Sequence, residues 1–112
     1  MTILVVNGYR DGFEGPNTVY IGRPGRGKPG SPLANPELLV SETDRAANII
    51  RYRDWLWPRL YSDTPQRREI LHLINLEERF GTIKLACFCA PKLCHGDIIA
   101  QYMRFYVQNG KW

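Results

Sequence analysis

Thr82-Ile-Lys-Leu-Ala-Cys-Phe-Cys-Ala-Pro-Lys-Leu-Cys-His-Gly-Asp-Ile-Ile99 changes its hydrophobic period within eighteen residues. Its first part is apolar and β-prone up to Phe88, and Pro91 closes it because proline has no N–H to give a ladder, so a strand is expected over Thr82–Phe88. From about His95, the residues Ile98, Ile99, Tyr102, Met103 and Tyr106 recur at helical spacing until Asn109-Gly110, which predicts an amphipathic helix. A strand that hands over to a helix after a short loop is the repeating piece of an α/β fold.

Working outward, Pro65 at a first helical position behind Thr64 predicts a helix that runs to Phe80 and stops at Gly81. Upstream, Ser41-Glu-Thr-Asp44 has the form of a capping box. Ala46, Ile49, Ile50, Leu56 and Leu60 mark a helical face, which predicts a helix from about Thr43 to Trp57, bent or ended by Pro58. Near the start, Thr2-Ile-Leu-Val-Val6 reads as a strand stopped by Asn7-Gly8, and Thr18-Val-Tyr-Ile21 as a second strand. Residues 7–17 are too few for a helical crossover between parallel strands, so a loop or tight connection is expected there. The order strand, strand, helix, helix, strand, helix predicts a single-domain α/β fold over residues 1–112, a small Rossmann-like sandwich with a short, mostly parallel sheet. Right-handed crossovers place the loops that follow the strands on one sheet edge, where ligands bind.

The chain's 112 residues suffice for one core and one site. Hydrophobic residues at 44% and charged residues at 23% exclude a disordered chain. No apolar run approaches the roughly 20 residues of a membrane span. Met1–Val6 lacks the basic flank of a signal peptide, so a cytoplasmic address and no membrane partner are expected. The net charge of +4 favours anionic partners. Arg51, Arg53, Arg59, Arg67 and Arg68 are interleaved with Asp54, Glu69, Glu77 and Glu78, the pattern of a solvated mixed surface rather than a nucleic-acid footprint.

Three cysteines fall between positions 87 and 94, too few and too close for a paired framework. One reading makes Cys87, Cys89, Cys94 and His95 the four soft ligands of a zinc ion, although adjacent Cys94 and His95 would have to converge from neighbouring backbone positions. A second is electrostatic: Cys94, His95, Gly96 and Asp97 open the last helix, whose unsatisfied N–H groups attract phosphate and lower a thiol pKa. On that reading Cys94 is a nucleophilic or redox thiol, Asp97 a general base and His95 its polar neighbour. Gly96 lets a ligand approach the backbone, and Cys89 contributes to binding. A third takes Cys87 and Cys89 as small core residues sharing a strand face.

Gly22–Pro36 holds four Gly and four Pro in fifteen residues, which excludes regular structure. It also carries Arg23, Arg26 and Lys28 without an acidic residue. Tyr20-Ile-Gly-Arg-Pro24 leaves the second strand through Gly22. Arg23 can fork two hydrogen bonds to a phosphate, Tyr20 lies beside it, and Ser31 and Asn35 offer polar groups to a sugar or base. The Gly-Lys-Ser/Thr ending of a Walker loop is absent.

Taken together, Tyr20-Ile-Gly-Arg-Pro24, Ser31-Pro-Leu-Ala-Asn-Pro36 and Cys87-Phe-Cys-Ala-Pro-Lys-Leu-Cys-His-Gly-Asp97 resemble an uncharacterised domain family of phages and bacteria. Its members carry G-R-P, S-P-L-G-N-P and C-x-C-x-P-x-x-C-H-G-D motifs. Ala34 stands where glycine is usual, and Glu37 where an aromatic is common. More distantly the layout resembles compact Rossmann-like nucleotide-binding folds, nucleoside deoxyribosyltransferases among them. That likeness implies phosphate on Arg23, sugar or base on Ser31 and Asn35, and a pocket closed by Cys94–Asp97. The expected function is binding of a nucleotide or related phosphorylated ligand without a cofactor, with action on its N-glycosidic bond as the reaction implied. The alternatives are a zinc- or thiol-dependent protein, and a phage accessory protein that binds a host protein through Trp55 and Trp57 or pairs with itself.

Overall fold

The middle of the sheet belongs to the last strand in sequence. β1 (Thr2–Asn7), β2 (Thr18–Tyr20) and β3 (Thr82–Cys87) run parallel in the order β1-β3-β2, with Thr2 opposite Thr82 and Thr18 opposite Lys84. The computed structural model describes residues 1–25 and 27–112, and Arg26, counted above with the basic loop, lies outside the described residues. β3 stops one residue before the expected Phe88, where the Asn7 side-chain amide draws off the carbonyls of Phe88 at 3.4 Å and Ala90 at 3.1 Å.

The segment between β1 and β2, expected as a loop or tight connection, contains one helical turn, α1 (Gly8–Asp11), started by Asn7, whose Oδ1 accepts from Tyr9 N at 3.0 Å. It does link parallel strands, with β3 lying between them. So short a connection suffices because β2 begins beside Lys84, in the middle of β3, and the chain need not retrace a full strand.

α2 (Arg45–Leu56) is entered through a 3₁₀ turn, Glu42–Asp44, and ends just before Pro58, as expected, the chain continuing as a second 3₁₀ turn over Trp57–Tyr61. Only half of the expected capping box forms. Ser41 Oγ accepts from Thr43 N at 3.3 Å, while Asp44 turns to Arg51 at 2.7 Å. The buried stripe of α2 is Asn48, Ile49, Tyr52 and Leu56, and Ala46 and Ile50 are exposed because tertiary packing set the phase. α3 (Pro65–Phe80) has the expected limits, with Thr64 Oγ1 accepting from Arg67 N at 3.0 Å and Gly81 ending it at φ 77°. α4 spans His95–Asn109.

Alternation sorts the sheet into two unlike faces. Ile3, Val5, Val19, Ile83, Leu85 and Cys87 share one, where they join residues of α2, α3 and α4 in a common core. The opposite face carries Leu4, Tyr20, Lys84 and Ala86, and near its carboxyl edge Phe13 of the β1–β2 connection packs edge-on to Tyr20 at 5.8 Å. The molecule is therefore a two-layer α/β domain with α2, α3 and α4 gathered on one face.

Leu85 lies at the centre of this core with no exposed surface, so Leu85→Ala is expected to cost roughly 2–5 kcal/mol by lost burial and a residual cavity. Thr64→Ala removes the cap on Arg67 N and the hydroxyl's 2.6 Å donation to the Arg59 carbonyl, and should cost about 1–2 kcal/mol. Urea unfolding of both variants checks the order.

Candidate functional site

Two strand ends and one helix start meet at the carboxyl edge of the sheet. Beyond β2 the chain continues through Ile21, Gly22 and Arg23; beyond β3 it continues through Phe88 and Cys89 and returns to Cys94 and His95. Arg45 and Asn48 of α2 stand opposite. Together with the loop at Asn35–Leu39 these bound a cleft of about 370 Å³.

Arg23 sits in the cleft wall, half-buried, with Nε donating to the Asn35 carbonyl at 2.9 Å. Among the described residues, none accepts from its two terminal amino groups, so most of its donor fork is spare. Gly22 has a geometric reason. The Tyr20 ring folds back over it so that the phenol donates to the Arg23 carbonyl at 2.7 Å, and a Cβ at residue 22 would collide with that ring. Burial pushes the Tyr20 hydroxyl above its ordinary pKa, so it stays a donor.

Asn35 lines the cleft but is spent on structure. Its amide donates to Asn48 Oδ1 at 2.8 Å, and its Oδ1 accepts from Glu37 N at 3.0 Å. Ser31, expected beside it, does not line this cleft: its Oγ caps the following turn by accepting from Leu33 N at 3.0 Å, and Leu33 is fully buried.

The helix start is also closed more tightly than expected. Asp97 Oδ2 accepts from Cys94 N at 2.9 Å, and Cys94 Sγ accepts from Gly96 N at 3.5 Å, a capping box with sulfur in place of hydroxyl. Donors expected to meet a phosphate are thus used by the protein itself, and Asp97 lies outside the cleft lining. Gly96 serves packing: a Cβ there would come within 2.9 Å of both Ile21 Cδ1 and Val5 Cγ1, so the missing side chain lets α4 seat on the sheet.

Three thiols line the cleft between β3 and the start of α4. Cys94 Sγ lies 3.2 Å from Cys87 Sγ and 3.4 Å from His95 Nδ1, with Cys87 and Cys94 both buried and Cys89 half-buried at the cleft surface. The expected lowering of the Cys94 pKa is reversed. Hydrogen bonding to Cys87 and Cys89, with burial added, pushes it up. Cys89 is pushed down by its neighbours Cys87 and Cys94 and by the Arg45 guanidinium. Cys87 is pushed up, first by its contact with Cys89.

His95 is 8% exposed, its Nε2 lies 2.7 Å from the Ile21 carbonyl, and Tyr52 packs edge-on at 5.2 Å. A carbonyl can only accept, so Nε2 carries the proton and Nδ1 presents a lone pair to Cys94. Burial holds the ring neutral by lowering its pKa. Among the described residues no group of three or more His, Cys, Asp or Glu is arranged to hold a metal ion, and His95 Nε2 points to backbone.

Arg45 and Asn48 line the cleft without having been singled out from sequence, and Glu37, noted above only as a departure from the family motif, lines it too. Arg45 left one signal. A cation in the first turn of a helix opposes the dipole and requires a local reason, here a two-point pair with Glu42 at 2.7 and 2.9 Å and a bond to the Leu93 carbonyl at 2.9 Å. That last bond ties α2 to the Cys89–Cys94 loop. Trp55 and Trp57, considered above as a protein-binding surface, are half-buried against the core, Trp57 lying 5.0 Å from Tyr102.

A family model described as a domain of unknown function, DUF4326, matches residues 6–104. That range takes in both strand ends, the thiols and the start of α4. Comparisons with curated proteins and with solved structures give no match.

The buried neutral imidazole has a pH signature. The unfolded chain protonates His95 near 6.5 while the folded chain does so only at lower pH, so stability is complete above about 6.5 and is lost as pH falls toward the folded value. The urea midpoint should therefore drop between about pH 7.5 and pH 5. In His95→Gln, which keeps a donor for Ile21, that drop should shrink.

Proposed function

The chain belongs to the DUF4326 family, and we propose that its cleft binds a nucleotide or related phosphorylated small molecule, as a cytoplasmic domain. The observation that carries this reading is Arg23, a guanidinium in the cleft wall with its terminal donors unspent at the carboxyl edge of a parallel sheet. A planar two-pronged donor matches two phosphate oxygens through charge-assisted bonds. The cleft's volume of about 370 Å³ lies in the range of small-molecule sites. Ile49, Leu38, Leu39 and the rings of Tyr20 and Phe88 supply apolar surface for a sugar or base. Arg45 adds positive potential from the opposite wall while remaining bonded to Glu42 and Leu93.

In this arrangement Arg23 keeps the phosphate role expected of it, and the self-capped helix start does not share it. The Rossmann-like parallel is one of layout: the loops after parallel strands frame the ligand. The carboxylate in the lining is Glu37, which Arg51 holds at 2.6 Å. Action on an N-glycosidic bond would fall to it rather than to Asp97.

Titration calorimetry with AMP, ATP, NAD and inorganic phosphate tests the proposal. Arg23→Ala should weaken the tightest of these by about 10- to 100-fold, the worth of a charge-assisted pair of bonds, with Arg23→Lys intermediate. Binding should also weaken as salt is raised. Unchanged affinity for all four probes in Arg23→Ala overturns the reading. Free base appearing in the cell would place Glu37 in a catalytic role.

A further inference from the structure

The nucleotide reading leaves the three thiols of the cleft unused, and the sulfurs of two of them are in direct contact. We propose that Cys87 and Cys94 are a redox pair that closes reversibly into a disulfide by exchange with a low-molecular-weight disulfide entering the cleft, and so clamps the loop of residues 88–93 between them. The proposal rests on where the two sulfurs are held and does not depend on what else the cleft binds.

Cys94 Sγ lies 3.2 Å from Cys87 Sγ, within about 1 Å of a bonded pair. Each sulfur is fixed by its own backbone frame. Cys87 ends β3 opposite Asn7 of β1 and donates its S–H to the Val6 carbonyl at 3.6 Å, which leaves its sulfur as the acceptor toward Cys94. Cys94 begins α4, where its N–H donates to Asp97 Oδ2 at 2.9 Å and its Sγ accepts from Gly96 N at 3.5 Å. The loop between them is held from both sides, by the Asn7 amide on the carbonyls of Phe88 and Ala90 and by Arg45 on the carbonyl of Leu93. Closure therefore needs little rearrangement of the chain.

Access comes from the cleft, which both residues line although they are only 2% and 1% exposed. Such burial favours a small reagent over a protein oxidant. A proton acceptor is also in place. His95 Nδ1 lies 3.4 Å from Cys94 Sγ and keeps its lone pair, because Nε2 holds the ring proton against the Ile21 carbonyl at 2.7 Å.

The exchange balances. Cys94 passes its proton to His95 Nδ1 as its sulfur attacks the small disulfide: one S–S bond forms, one breaks, and half of the reagent leaves as a thiol with the proton from His95. Cys87 then attacks the Cys94 sulfur. The bond between Cys87 and Cys94 forms, the mixed disulfide breaks, and the second half leaves as a thiol with the proton that Cys87 gives up. Two protein thiols and one small disulfide become one protein disulfide and two small thiols, and excess small thiol reverses the sequence.

The experiment uses the reduced full-length chain, treated with a chelator, desalted and exposed to equimolar hydroxyethyl disulfide. The intact mass should fall by two hydrogens, and iodoacetamide added in denaturant should then label one thiol per chain instead of three. Chymotrypsin cuts after Leu85, Phe88 and Leu93 and so separates the three cysteines. Residues 86–88 should appear joined to residues 94–102, with Cys89 alkylated in residues 89–93. Closure should raise the urea midpoint, by removing loop freedom from the unfolded chain, and excess mercaptoethanol should restore it. Cys89→Ser should still lose two hydrogens, whereas Cys87→Ser and Cys94→Ser should not. His95→Gln should slow closure at least threefold while giving the same linkage, which a histidine that only supports the strand end would not do. A linkage through Cys89, three free thiols after the reagent, an unchanged urea midpoint on closure, or closure as fast in His95→Gln as in the unmodified chain each overturns the proposal. Where a serine variant fails to fold, the linkage map of the unmodified chain decides.

Discussion

β3 has a hydrogen-bonded neighbour on each side, and that single constraint sets where everything else must lie. A strand paired on both edges in parallel has no backbone donor left for solvent, so it must be apolar and covered. Ile83, Leu85 and Cys87 meet the helices on one face, and Ala86 fills the other with no exposed surface. β1 and β2 are short, yet both end against the same central strand, so their following loops emerge side by side. The cleft is the space those loops and the start of α4 leave between them.

The chemistry at this edge comes from how few groups remain uncommitted. Asn35, Asn48, Ser31 and Asp97 all have polar side chains near the cleft or its supports, and all of them bond to the protein. Such bonds hold a long Gly- and Pro-rich loop in one shape, which lowers the entropy cost of ordering it around a ligand. Against that background, the spare terminal donors of Arg23 and the surface thiol of Cys89 stand out as groups whose bonding capacity faces the cleft. The two lie on opposite loops, one after β2 and one after β3.

His95 connects those loops. Its Nε2 holds the Ile21 carbonyl where β2 ends, its Nδ1 faces Cys94 where the β3 loop returns, and burial keeps it neutral. Protonating it would place a charge at a site with no carboxylate bonded to it, so the strand-end geometry and the thiol geometry share one titratable support.

Periodicity and punctuation were enough to read the elements. Thr64, Pro65 and Gly81 delimit α3 by local backbone chemistry alone, and the Ile98-to-Tyr106 spacing delimits α4, because caps and helical stripes act within a few residues. The parallel α/β class followed from element order, and the two rich loops were legible as the places where regular structure must stop. What each side chain does there was settled by contacts far apart in sequence. Nothing local shows that Gly96 faces Val5, that Asn48 captures Asn35, that Arg45 reaches Leu93, or that Asp44 leaves its cap for Arg51. The same holds for the thiols: a helix start by itself lowers a cysteine pKa, but the fold buries Cys94 against Cys87 and pushes its thiol up instead. Local rules govern how the chain bends, whereas burial and charge depend on which distant residues the completed sheet brings within a few ångströms.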